Sequence, residues 1–179
     1  MIGRISAAWA RIELTLAAAL AVSITLLILL NVLTRSIGAA LYWVDELAIY
    51  AMAWMTFLGA SAALHSGQTV VVTALTDPLP PSLARIAAKI VDLLVLAFAL
   101  FMIWFCWRWY SPLELARFGF DTEAFQGATF NFIYAEPTTT LGIPKYWIWM
   151  VMWAFAIGAT LHGTANLLGQ GRKPGAGTT

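Results

Sequence analysis

The sequence predicts an all-α integral membrane protein with four transmembrane helices, and three observations carry that expectation. The chain of 179 residues is 61% hydrophobic and 11% charged, with mean hydropathy +0.79, whereas a soluble domain carries about 25% charged residues. A water-soluble chain of this length has too little interior to hide so much apolar surface. Its apolar residues also gather into four runs of about 20 residues, the length that crosses a hydrocarbon core. The net charge of +1 gives no electrostatic footprint for nucleic acid. No phosphate loop, dinucleotide fingerprint, zinc-spaced Cys/His set or H-E-x-x-H occurs, so neither an enzyme nor a cofactor or metal site is expected. The single Cys106 excludes an intramolecular disulfide and reads as a small buried hydrophobe.

In chain order, the N-terminal stretch comes first. Ile2, Ile5, Trp9 and Ile12 recur at helical spacing, with Arg4 and Arg11 on the other side. This suits either a short amphipathic helix in the membrane interface or a frayed basic tail. Span one follows at 14–34 without a charge, too long for a signal-peptide core. Span two is expected at 47–65, after a turn of about ten residues that makes it the antiparallel neighbour of span one. Span three covers about 90–109 and span four 146–168. Between spans two and three, D-P-L-P-P-S closes the loop with a turn and helix-start signal. The long outer loop from Tyr110 to Pro144 should be partly helical: S-P-L-E at Ser111 has capping-box spacing with Pro112 at the first helical position, a break falls near Gly119, and Asp121 can start another turn. Residues 1–170 read as one membrane domain and 171–179 as a flexible tail.

Lys and Arg near span ends set orientation. With the N-terminus inside, six basic residues lie on the inner side and four (Arg35, Arg108, Arg117, Lys145) outside, and Trp43, Trp107, Trp109, Trp147 and Trp149 gather at the outer interface. Both termini are therefore expected in the cytoplasm.

Few residues are candidates for chemistry. Asp92 lies inside span three, where an acid is a functional suspect, although Lys89 three residues earlier permits an ion pair. His65 and His162 fall on the same side of the membrane, so the pair reads either as polar anchoring or as ligands of a haem in a redox-complex anchor. A third possibility is a stand-alone homo-oligomeric transporter with Asp92 as its ion site. Gly59 and Ala63 have small-xxx-small spacing for close helix approach. The best constellation is the joint between spans one and two. Asn31 and Arg35 share a helix face, and Asp45 and Glu46 open the next helix, so an Arg–carboxylate pair can bridge the helix ends.

This joint, N-x-x-x-R, a short gap, then W-x-x-E-L-A-x-Y, F-L-G-A and S-G-x-x-V, resembles the small membrane subunit of tripartite ATP-independent periplasmic (TRAP) transporters. The matching residues are Asn31, Arg35, Trp43, Glu46, Leu47, Ala48, Tyr50, Phe57, Leu58, Gly59, Ala60 and Gly67, and Gly142 to Pro144 before the last span fits as well. The chain departs in having His65 and Gln68 where many relatives show R-x-G-x-H, and in its long outer loop. The resemblance implies a bacterial inner-membrane subunit that scaffolds a large multi-span permease and helps dock a periplasmic solute-binding protein, during sodium-coupled uptake of an organic anion such as a carboxylate. Asn31, Arg35, Trp43, Asp45, Glu46, Tyr50, Gly59 and Ala63 are the expected interface residues, with membrane lipids the other partner.

Overall fold

A computed structural model describes residues 1–66 and 80–170. Seven α-helices are present among them: α1 (Ile2–Ser36), α2 (Tyr42–Ser66), α3 (Pro81–Tyr110), α4 (Pro112–Arg117), α5 (Thr122–Thr129), α6 (Tyr146–Trp149) and α7 (Val151–Leu167). Four helical stretches, Ile2–Ser36, Tyr42–His65, Ser82–Arg117 and Tyr146–Leu167, are long and apolar enough to cross a membrane. The expected tail 171–179, and the motif positions Gly67 and Gln68, lie outside the described residues.

The four long segments form a bundle with α7 at its centre. α1 packs on α2 and α7, α2 packs on α7, and α3 joins through α7. Burial follows this order. Nine of the 17 residues of α7 are buried, against four of the 35 in α1. Small residues allow it: Ala156 and Ala159 are fully buried, and Phe155 and Ala159 meet Ala99 of α3 in one apolar cluster with Phe57, Leu64 and Met102 at its edge. The outward faces of α1 and α3 are lined by Leu26, Leu29, Leu94 and Phe101, all more than half exposed. In lipid such a face costs nothing, because the surrounding solvent is as apolar as the side chains.

Side chains from neighbouring helices satisfy carbonyls that helix ends leave unpaired. Asn166 Nδ2 donates to the Leu64 carbonyl at 2.7 Å, and the Lys89 ammonium donates to the Leu167 carbonyl. Where span four is interrupted between α6 and α7, Trp54 Nε1 donates to the Ile148 carbonyl at 2.8 Å and the Tyr110 hydroxyl to the Tyr146 carbonyl at 2.8 Å. At the opposite end, Gly3 N donates to Gln170 Oε1 at 3.3 Å, so the two ends of the described chain meet on one side.

The structure replaces the separate interfacial helix with a continuous one. Residues 2–13 run into span one without a break, giving a helix of about 50 Å, longer than the roughly 30 Å hydrocarbon core. The face they bury is Ser6, Ala10 and Glu13, while Ile5 and Ile12 are about half exposed. Ile5 and Ile12 of the apolar stripe point away from the bundle, while Ser6 and Glu13 turn inward to partners on α2 and α7 and Trp9 of the stripe donates to Glu13.

The long loop between α3 and α6 contains the short helices α4 and α5. Pro112 opens α4, and Gly119 adopts a left-handed φ of +63° just after it. Asp121 caps α5 by accepting from the amides of Glu123 and Ala124 at 3.0 Å. The capping box at Ser111 does not form: its hydroxyl donates to the Arg108 carbonyl at 2.7 Å, at the end of α3. Leu115, Phe125 and Ile133 make a second small core against Phe118, Tyr134, Tyr146 and Trp149, outside the bundle. Burial there raises the Tyr134 phenol above its usual value.

Candidate functional site

Two polar assemblies stand out in this apolar chain, one at each end of the bundle. At the end away from the termini, α1 and α2 are tied by Asn31, Arg35 and Asp45. The i,i+4 spacing of Asn31 and Arg35 puts both on one face, and Arg35 Nε donates to Asn31 Oδ1 at 2.9 Å. Arg35 Nη2 then meets Asp45 Oδ2 at 2.5 Å, and Asn31 Nδ2 donates to Asp45 Oδ1. The carboxylate thus receives one donor on each oxygen, which fixes its orientation as well as its charge. Both charged side chains are about half exposed, so the pair sets geometry more than stability.

Glu46 does a different job. Its Oε2 accepts from the Thr140 amide and hydroxyl, both at 2.6 Å, and from the Leu141 amide at 3.1 Å. Its Oε1 accepts from the Thr139 amide at 2.7 Å and the Tyr50 hydroxyl at 2.9 Å. The loop tip 139–141 is therefore held on the start of α2. Its stem closes by Thr138 N to the Ile143 carbonyl at 2.8 Å and Lys145 N to the Glu136 carbonyl at 2.9 Å, with a Glu136–Lys145 ion pair at 2.5 Å. The expected Arg–carboxylate bridge exists with Asp45. Glu46 faces away from Arg35 because the returning loop supplies backbone donors on its own side of α2.

Other expected site residues are dispersed. Trp43 is 39% exposed in the first turn of α2. At Gly59 an added Cβ would meet nothing within 4 Å among the described residues, and exposed Ala63 lies one turn on. Asp92 is buried in α3 at 6% exposure.

At the end that carries the termini, three helices converge on a buried polar junction. From α1 come Ser6, Trp9 and Glu13; from α2, Ser61 and His65; from α7, Gly158 and His162. The Ser6 hydroxyl lies 2.7 Å from Nδ1 of both His65 and His162. His162 Nε2 is 3.0 Å from Glu13 Oε2, and Trp9 Nε1 donates to Glu13 Oε1 at 2.9 Å. Glu13 and His162 are sealed, with side chains at 1% and 0% exposure. Gly158 makes room: a Cβ there would fall 2.3 Å from Glu13 Oε1, 2.4 Å from Ser61 Oγ and 2.9 Å from Trp9 Nε1. Sequence reading put the two histidines on one side, and their ring centroids are indeed 5.3 Å apart. It missed Glu13, Ser6 and Ser61. The available signal was the spacing 6, 9, 13 of polar-tipped residues along one helical face.

These residues do not fit a haem. Both Nδ1 atoms share one serine hydroxyl, His162 Nε2 faces a carboxylate, and that hydroxyl occupies the space between the rings where a macrocycle would lie. Among the described residues no group of three or more His, Cys, Asp or Glu is arranged to hold a metal ion.

No solved structure matches the chain. A Haemophilus influenzae protein named "Putative TRAP transporter small permease protein" is 31% identical over 107 residues, which is 59% of this chain and 66% of that relative's length. A profile for the DctQ component of tripartite ATP-independent periplasmic transporters matches residues 24–172, which include the joint at Asn31 to Glu46, all of spans two to four and the C-terminal part of span one. Together with four apolar spanning helices, this match assigns the multi-pass chain to the DctQ component family of TRAP transporters, the family of their small permease subunit.

Proposed function

We propose that this chain is the bracing subunit of a sodium-coupled uptake system for an organic anion of the carboxylate class, in the inner membrane of a bacterium. Residues 1–170 act as a single membrane domain with both termini in the cytoplasm. The chain holds a large permease subunit in place and offers part of the surface on which a periplasmic solute-binding protein docks; substrate is moved by the large subunit. The observation that carries this reading is the outer end. Asn31, Arg35 and Asp45 lock two helix ends together, while Glu46 fastens the loop tip 139–141 beside them. This gives a pre-set polar surface at the membrane face, and pre-organisation lowers the cost of docking. Lipid and the large subunit would cover the exposed apolar faces of α1 and α3.

Reconstitution tests it. Purified chain in proteoliposomes with a sodium gradient should take up no organic anion, and uptake should appear when the large permease and the binding protein are added. The large permease should also co-purify with the chain in mild detergent. Uptake by the isolated chain would sink the proposal and favour a stand-alone transporter.

A further inference from the structure

The junction of Glu13, His162, Ser6 and His65 is more than a structural knot, because its donors and acceptors can be ordered in two complete ways. In the first, Glu13 is ionised. Trp9 Nε1–H and His162 Nε2–H each donate to one of its oxygens, the Ser6 O–H donates to His162 Nδ1, and His65 Nδ1–H donates to Ser6 Oγ. All contacts lie between 2.7 and 3.0 Å. In the second, every bond of the chain is reversed. Glu13 O–H donates to His162 Nε2, His162 Nδ1–H to Ser6 Oγ, and the Ser6 O–H to His65 Nδ1, with His65 now protonated at Nε2. The two orders differ by one proton. It is gained at His65 Nε2, and shifts along the chain leave it on Glu13; both imidazoles are neutral before and after.

We propose that these four residues form a proton-exchange site, a wire along which one proton passes between the half-buried His65 and the sealed Glu13 carboxyl. Two independent features support it. Glu13 has almost no contact with solvent, so a proton reaching its carboxyl from His65 has a ready path along the bonds of the chain itself. Ser61 Oγ, fully buried and without a hydrogen-bond partner among the described residues, flanks with Glu13 Oε1 the same point above Gly158. A spare hydroxyl there can turn its proton toward the carboxylate in one state and away from it in the other.

The surrounding charges are few. Arg4 and Arg11 of α1 are exposed. On α3, which packs against α7, Lys89 donates to the Leu167 carbonyl and Asp92 is buried at this end of the bundle. Among the described residues, the hydrogen bonds of the wire itself join Ser6, Glu13, His65 and His162, with Trp9 on the second Glu13 oxygen. The inference is independent of the transport role, since it concerns only contacts within this chain.

The test uses the full chain in lipid nanodiscs, labelled with 15N-histidine, and follows nitrogen shifts and the infrared carboxylic-acid carbonyl band across a pH titration. The expected result is specific. As pH falls, His65 exchanges its proton from Nδ1 to Nε2 while His162 exchanges from Nε2 to Nδ1, with one shared midpoint at which the acid band grows. Glu13→Gln should abolish that band. Ser6→Ala, which removes no titrating group, should uncouple the rings so that their midpoints separate, and Ser6→Thr should restore the common midpoint. Circular dichroism would verify that each variant is folded, and the Ser6 pair carries the test should Glu13→Gln fail to fold. A His162 imidazolium without an acid band, unequal midpoints in the native chain, or an unchanged coupled exchange in Ser6→Ala would each overturn the proposal.

Discussion

Single side chains in this protein are placed by what returns to meet them from far along the chain. Asp45 and Glu46 are adjacent acids at the start of α2, yet Asp45 takes Asn31 and Arg35 and Glu46 takes the loop at 139–141. Consecutive residues on a helix point about 100° apart, so neighbours in sequence serve different partners. Charge reversal therefore separates their roles. Arg35→Glu and Asp45→Arg should each weaken the joint, and the double variant should recover a coupling of about 0.2–1 kcal/mol, the scale of a half-exposed pair. Thermal melting of the four members of the cycle checks this. Combining Arg35→Glu with Glu46→Arg should give no recovery, because those two side chains serve different partners. Glu13 makes the same point in reverse. It sits at the edge of an apolar run and reads as a span boundary, but its partner is His162, 149 residues on.

At the scale of elements, hydropathy located the spans while packing decided which faces turned inward. The N-terminal turn of α1 shows the difference. Its apolar residues Ile5 and Ile12 face outward and its polar residues Ser6 and Glu13 inward, the opposite of a helix in water, since lipid accepts the former and punishes the latter. The loop between α3 and α6 behaves by ordinary aqueous logic. Phe125, fully buried, anchors its small core with Leu115 and Ile133. Phe125→Ala should cost that core about 3–5 kcal/mol. Hydrogen exchange should accelerate across α4 and α5 and stay unchanged in α7, if the loop is a separate cooperative unit. Turn signals such as Pro112 and Asp121 were legible because they act locally. Ser111 misled because its hydroxyl had a nearer acceptor at the end of α3.

For the whole molecule, α7 is the axis against which the other three long helices pack, and the chain's surface is largely apolar. Such a bundle is suited to a lipid or protein surround. Gly59 offers a way to tell these apart, since among the described residues a Cβ there would meet nothing within 4 Å. Gly59→Leu should leave the isolated subunit folded and melting no lower than the parent chain, because Leu has the higher helix propensity. If a large permease covers that face, the same substitution should reduce co-purified partner by about tenfold, the effect of about 1.4 kcal/mol at an interface. Equal recovery would assign the face to lipid. The sequence by itself determined the membrane class, the number of candidate spans and the family likeness of the joint at Asn31 to Glu46. Those properties are sums over local stretches of chain, and transfer from water to lipid is felt residue by residue. Tertiary structure alone decided that Arg35 would hold Asp45, that Glu46 would hold a loop nearly a hundred residues away, and that Ser6, Glu13, His65 and His162 would close into one hydrogen-bonded chain. Those outcomes depend on which helix faces meet, and in a bundle whose helices are apolar on nearly every side, the few polar atoms choose the facing.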